Sequence, residues 1–254
     1  MLDNLPLRRR QRDRPHRFRR GVFLLPSLFT VANLFCGYSC VVYATRADFD
    51  SAALFIAVAM VLDTIDGYLA RLTNSTTAFG VELDSLADVV SFGLAPAILA
   101  FQWGLWPLLR VGWAAGFIYL TAVAMRLARF NIQTASVTDK RYFAGLPSPA
   151  AAGVIASTVF LYPWGLQDAR IAVLALPLVL VPALLMVTTI RFRSIKAIDV
   201  GWRRSYVALF IGAVLLALIA AHPRLALVAM SYTYIVWAVA SYLITRLRRR
   251  PANP

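Results

Sequence analysis

The sequence predicts an all-α polytopic membrane protein, a bundle of about eight transmembrane helices with both termini on the cytoplasmic side. Three observations predict it. Hydrophobic residues make up 60% of the 254-residue chain and charged residues only 15%, with a mean hydropathy of +0.67, which leaves too little polar surface to cover a soluble globule. Mostly apolar runs of roughly 20 residues, the length an α-helix needs to cross the hydrocarbon core, recur along nearly the whole chain. Basic residues are also sharply segregated between alternate loops.

The runs are residues 26–45, 51–72, 83–101, 106–128, 148–163, 170–190, 205–221 and 224–245. They define three regions: a basic cytoplasmic N-terminal arm (1–25), a transmembrane domain (26–245) and a basic cytoplasmic tail (246–254). The arm, with Phe18 among its arginines, reads either as a basic helix on the membrane surface or as an orienting tail. The first run is long and lacks a small-residue cleavage site, so it is a retained span rather than a secretory signal. Within it, Cys36 and Cys40 share a helix face and lie too far apart to bridge, which supports neither a disulfide nor a zinc site. Runs two and three are joined by a turn at residues 73–81. Run five opens on Gly145-Leu-Pro147-Ser148-Pro149, a rigid turn ahead of a helix start. Trp103, Trp106, Tyr162 and Trp164 are expected in the outer interfacial belt. The last three runs carry no functional motif.

The formal charge of +14 raises the question of nucleic acid, and the distribution of the charge answers it. Of the 26 basic residues, 22 fall on one side when loops alternate: the arm from Arg8 to Arg20, Arg71, Arg126, Arg129, Lys140, Arg141, those from Arg191 to Arg204 and those from Arg246 to Arg250. Topology and attraction to anionic head groups account for that excess, and no nucleic-acid role is needed.

Five of the twelve acidic residues, Asp63, Asp66, Glu82, Asp84 and Asp88, fall within 26 positions at the facing ends of runs two and three. Asp63 and Asp66 are three apart and Asp84 and Asp88 four apart, so each pair shares a face of its helix, and the turn between them makes the helices antiparallel. All four carboxylates can converge. At about 1.5 Å per residue, Asp63 lies roughly 12 Å from the end of its helix at Arg71, inside the apolar slab, where an unpaired carboxylate costs several kcal/mol. Arg71 neutralises only one of the four. An all-oxygen cage relieved by divalent cations suits Mg²⁺ or Mn²⁺, with Ca²⁺ as a third option, and disfavours Zn²⁺. Gly67, Ala70 and Gly80 let helices and a bulky ligand approach the backbone closely, although each is equally an ordinary packing residue.

The stretch Asp63-Thr-Ile-Asp66-Gly67-Tyr-Leu-Ala70-Arg71, followed by Gly80, Asp84 and Asp88, resembles the full motif of the CDP-alcohol phosphotransferase family. The resemblance implies a membrane-embedded enzyme that cleaves the diphosphate of a CDP-linked lipid, transfers the phosphatidyl group to an alcohol and releases CMP. It implies two divalent metals held by Asp63, Asp66 and Asp84, with Asp88 as ligand and general base, and Gly67, Ala70 and Arg71 bordering the CDP moiety together with Gly80. A homodimer is also implied. The chemistry itself needs such parts: cations to neutralise the diphosphate and stabilise leaving CMP, and a base to take the hydroxyl proton. Asp88, one turn from Asp84, is the best placed base.

Flanking segments narrow the acceptor. Leu25–Gly37, Ser91–Pro96, Arg126–Asn131 and Phe143–Pro149 resemble the membrane-integral phosphatidylserine synthase branch, over roughly the first 160 residues, which makes L-serine the expected acceptor and phosphatidylserine the product. Serine is a small zwitterion, so its site needs a cation for the carboxylate. Arg126 and Arg129 at the cytoplasmic end of run four, with Asn131, Lys140 and Arg141, form a basic rim close to the acid cluster; plain positive-inside anchoring is the competing reading for either arginine. Ser91 stands at i+7 from Asp84 and faces the same cavity, either touching substrate or back-bonding to its own helix. Asn33, at similar depth in run one, binds the diphosphate or a metal-bound water, or else packs helices. Glycerol 3-phosphate or an inositol phosphate is the alternative acceptor, and a divalent-cation transporter the alternative from another class. The basic, arginine-heavy loops fit a prokaryotic plasma membrane, with the active site facing the cytoplasm.

Overall fold

In a computed structural model of the protein, the described residues are 24–72, 77–136, 142–188, 191–193, 210–214, 217 and 220–248. The N-terminal arm, the C-terminal tail from 249, Lys140, Arg141 and most of the expected run 205–221 lie outside them, as do the side chains of Ala70 and Arg71. The described chain is a helical bundle: α1 (Leu24–Thr45), α2 (Phe49–Leu72), α3 (Ala78–Leu108), α4 (Arg110–Ser136), α5 (Ser148–Leu161), α6 (Ala169–Val187) and α7 (Pro223–Arg248). One short antiparallel ladder pairs β1 (Tyr142–Ala144) with β2 (Arg191–Arg193).

Five of these helices contain stretches long and apolar enough to cross a membrane: Ser27–Thr45, Phe49–Leu69, Ala78–Leu108, Arg110–Ile132 and Ala169–Val187. Together they make this an integral membrane protein. Helix α5 is apolar but only 14 residues long. Large apolar side chains are widely exposed, for instance Leu28, Val31, Phe35 and Tyr38 along one face of α1. In a bilayer that face meets lipid, where an exposed apolar side chain carries no penalty.

Helix α1 lies against both α2 and α3 and fixes where their acidic ends meet. The expected runs 83–101 and 106–128 are displaced here. Helix α3 starts earlier, at a Thr77 N-cap whose hydroxyl accepts from the Gly80 N–H at 3.0 Å, and continues to Leu108. Its length is absorbed by two π-helical turns, Val89–Leu94 and Phe101–Leu105, where the Ala95 and Trp106 N–H groups reach back five residues to Val90 and Phe101. Pro96 removes a backbone donor just after the first of these turns, and widened turns of this kind recur at functional sites. The chain then reverses at Leu109, which takes a left-handed φ of 48°.

The first π turn presents Ser91 to α1 at very short range. A Cβ built on Gly37 would stand 2.6 Å from Ser91 Oγ and 2.8 Å from Ser91 Cα, so only glycine permits this crossing. Gly37→Val is expected to lower the thermal unfolding midpoint in detergent, overpacking of this kind costing about 1–3 kcal/mol, occasionally more. An unshifted midpoint would mean that α1 and α3 are further apart than described.

Gly145 has the architectural role that its motif predicts. With φ at 86° and a Cβ that would meet the Met186 carbonyl oxygen at 2.4 Å, it turns the chain against the end of α6, where Leu146 N–H bonds the Leu185 carbonyl. Trp103 departs from the interfacial belt. It is 5% exposed and its indole N–H donates to the Tyr162 carbonyl at 2.6 Å, because the second π turn rotates it into the core. Trp106, Tyr162 and Trp164 remain exposed. Cys36 and Cys40 are buried free thiols, as their helical spacing requires.

Candidate active site

The acid-bearing ends of α2 and α3 converge beside α1. One carboxylate oxygen from each of Asp63, Asp84 and Asp88 lies within 4.8 Å of the others. The periodicity makes this possible: Asp84 and Asp88 lie one turn apart on α3, and the packing of both helices on α1 brings them to Asp63. Asp66 is placed differently. Only 5% exposed, it accepts a hydrogen bond from the Thr30 hydroxyl of α1 and interacts electrostatically with Asp84 from beside the triad. Glu82 is exposed and takes no part in this group.

Three carboxylates at this separation form a hard, all-oxygen donor set, which fits Mg²⁺, Mn²⁺ or Ca²⁺ by ligand type. A further observation agrees. Asn33, 1% exposed, approaches Asp88 Oδ1 with its Nδ2 at 3.4 Å, while its Oδ1 is buried with no hydrogen-bond partner among the described residues. Buried acceptors are rarely left open. An open oxygen next to three carboxylates is a place for a cation, its water or a ligand's donor.

On the opposite wall, Arg126 of α4 donates from Nη1 to Ser148 Oγ at 3.0 Å and interacts electrostatically with Asp88 and Asp63 and with Tyr234 of α7. Its Nε is buried and unpartnered among the described residues. Arg129 donates from Nη2 to the Val187 carbonyl at 3.0 Å, satisfying one of the open carbonyls at the end of α6, and its Nη1 is likewise unpartnered.

The remaining expected residues bind helices to one another. Asn131 Nδ2 donates to Ser85 Oγ at 2.9 Å, tying α4 to α3. Ser91, fully buried, donates to the Asn33 backbone carbonyl at 2.9 Å instead of to its own helix. Gly80 lies in the first turn of α3, where its N–H is engaged by the Thr77 cap. Gly67 follows Asp66 within α2, and Ala70 and Arg71 lie one turn further on in the same helix.

Two residues escape the sequence reading. Thr30 carries a signal, because it stands one turn before Asn33 and so shares its face of α1. Tyr234 carries none: a single tyrosine in the last apolar run is indistinguishable from interfacial anchoring until α7 is seen packed against α5.

The chain as a whole is similar to known proteins. Residues 23–190 match the family described as CDP-alcohol phosphatidyltransferase. A Helicobacter pylori protein named CDP-diacylglycerol–serine O-phosphatidyltransferase is 33% identical over 228 residues, 89% of this chain and 94% of its own length. Proteins of the same name from Bacillus subtilis and Saccharomyces cerevisiae are 35% identical over 138 residues and 40% over 130, covering 54% and 49% of this chain and 76% and 45% of their own.

Proposed function

Because this chain belongs to the CDP-alcohol phosphatidyltransferase family, we propose that it transfers the phosphatidyl group of CDP-diacylglycerol, or of an archaeal-type CDP-lipid, to the hydroxyl of L-serine. The products are phosphatidylserine and CMP. The observation that carries this reading is the convergence of Asp63, Asp84 and Asp88 within 4.8 Å of one another, with the half-buried Arg126 facing them.

The reaction replaces one phosphorus–oxygen bond by another. The serine hydroxyl oxygen bonds to the phosphatidyl phosphorus, the bond from that phosphorus to the bridging oxygen breaks, CMP leaves with the electron pair, and the hydroxyl proton goes to a base. Asp63, Asp66, Asp84 and Asp88 would hold two divalent cations, Mg²⁺ or Mn²⁺ with Ca²⁺ as a third option, which when bound neutralise the diphosphate oxygens and stabilise the leaving CMP.

The chain's own groups do the rest. Asp88 takes the proton, and the Asn33 side-chain amide holds that carboxylate, while Ser91 ties the Asn33 backbone carbonyl to α3. Thr30 orients Asp66. Arg126 offers its free Nε to the serine carboxylate while Ser148 fixes the other end of the guanidinium. Arg129, braced on α6, adds a second open N–H, and Asn131 keeps the end of α4 on α3. Gly67, Ala70, Arg71 and Gly80 border the CDP moiety by their match to the family motif, and Asn33, at the depth of the acids, meets its diphosphate or a metal-bound water.

The same reading sets the protein in a prokaryotic plasma membrane, with eight spans, both termini and the active site at the cytoplasm, the basic arm and tail against anionic head groups, and two copies forming a homodimer. The lipid donor reaches the site laterally from the inner leaflet, and serine arrives from the cytosol.

The test is CMP release by the purified protein in detergent, with CDP-diacylglycerol and Mn²⁺ or Mg²⁺, with and without L-serine, and with an Asp84→Asn control. Serine-dependent CMP that is lost in the control and on chelation is expected. Metal-dependent CMP without any response to serine would move the acceptor to glycerol 3-phosphate or an inositol phosphate. No CMP with any metal would overturn the transferase reading in favour of a cation transporter.

A further inference from the structure

Helix α7 lies outside the acid motif, yet its packing carries one side chain of its own to the active site. It lies along α5. Two contacts set the register: the Arg224 guanidinium stands 5.1 Å over the Phe160 ring, and Ser231 Oγ donates to the Gly153 carbonyl at 3.5 Å. Moving from Arg224 forward to Ser231 on α7 thus moves from Phe160 back to Gly153 on α5, so the two helices are antiparallel. Arg224, Ser231 and Tyr234 stand at i, i+7 and i+10, which is one stripe of α7. The turn after Ser231 therefore brings Tyr234 level with Ala150, two residues from Ser148 at the start of α5.

Ser148 is where Arg126 of α4 arrives, its Nη1 donating to Ser148 Oγ at 3.0 Å. Arg126 and Tyr234 interact electrostatically, in keeping with that register. Each brings an open polar group. Arg126 Nε is buried and unpartnered, and the Tyr234 hydroxyl makes no hydrogen bond among the described residues. The adjoining hydroxyls of α7 are spent, Ser231 on Gly153 and Tyr232 on the Thr158 hydroxyl at 3.0 Å. Tyr234 is half-buried against the core near the middle of the 26-residue helix, which is not where an interfacial anchor stands. An N–H and an O–H directed to one place suit the two oxygens of a single carboxylate.

We propose that Tyr234 is a specificity-determining residue for the acceptor: its hydroxyl donates to the serine carboxylate beside Arg126 Nε, so that α4 and α7 together select an alcohol that carries a carboxylate. The proposal rests on the transferase reading above. An amino alcohol without a carboxylate leaves both donors unpaired, which is how a site built on hydrogen bonds rejects an analogue.

The test is Tyr234→Phe, which keeps the ring and its packing and removes only the hydroxyl. In CMP release by the purified protein, the serine KM is expected to rise about 10-fold or more, as for loss of one hydrogen bond to a charged group. The kcat, the KM for CDP-diacylglycerol and the unfolding midpoint are expected to stay near wild type, a split that a packing role would not produce. A serine KM within twofold of wild type, or an equal rise in both KM values, overturns the proposal. The same substitution is then made in an Arg126→Lys background. A hydroxyl that meets the carboxylate itself still raises the serine KM there several-fold, whereas an effect that disappears means that Tyr234 acts only through the guanidinium, and overturns direct contact. Wild-type CMP release that ignores serine removes the serine reading and this proposal with it; serine-dependent release with an unmoved KM in Tyr234→Phe removes this proposal alone.

Discussion

Asp88→Asn is expected to lower kcat for serine-dependent CMP release by about 10³–10⁴-fold at saturating metal and substrate, because it removes a general base worth 10²–10⁴ and weakens a ligand at the same time. The geometry singles out Asp88 among the four acids. It is 8% exposed, meets Asp63 and Asp84 within 4.8 Å, contacts the Asn33 amide and faces Arg126 across the site. Asp66, by contrast, is already engaged by Thr30 on the other side. Asparagine preserves shape and the contact with Asn33 but cannot accept a proton. The check is steady-state turnover over a metal titration, with the unfolding midpoint compared to wild type. Recovery of near-normal kcat at high metal would reduce Asp88 to a ligand and send the base role elsewhere.

Much of this site was legible in the sequence because intramembrane carboxylates are costly and helical periodicity is rigid. Spacings of three and four bring all four acids together in the sequence reading; the structure gathers Asp63, Asp84 and Asp88 and leaves Asp66 beside them on Thr30, and residues 23–190 carry the family match. What periodicity cannot give is which neighbouring helix receives each side chain. Ser91 and Trp103 lie within the two π turns of α3, whose widened geometry departs from the regular helix that periodicity assumes. Ser91 thus became a tie to α1 and Trp103 a core residue. Span boundaries moved for the same reason, α3 absorbing Trp106–Leu108 that the hydropathy pattern gives to the next run. The contribution of α7 was invisible because Tyr234 is an ordinary membrane residue whose meaning comes from the packing of α7 on α5 and its electrostatic influence on Arg126.

Arg126 separates two accounts of the basic rim, and Arg126→Gln tells them apart. If the arginine served only to anchor the cytoplasmic end of α4, its loss from a surface with so many other basic residues would leave kinetics alone, because orientation depends on the whole loop set. The structure gives it a different setting: a half-buried guanidinium pinned by Ser148 at Nη1, in electrostatic contact with Asp88, Asp63 and Tyr234, and with Nε open. A hydrogen bond to a charged group contributes about 1.5–3 kcal/mol, so losing the one proposed from Nε to the serine carboxylate is expected to lower kcat/KM for serine by about 10- to 10²-fold. The loss should appear mainly as a raised KM for serine, with KM for the CDP-lipid changed far less, because in the proposed reaction the open Nε takes the serine carboxylate. Arg126→Lys should recover only part of it, a point charge lacking the fork that lets one nitrogen hold Ser148 while another meets a carboxylate. A serine KM within twofold of wild type in Arg126→Gln, in correctly inserted protein, would return this arginine to anchoring and leave Arg129 as the remaining cation for the acceptor.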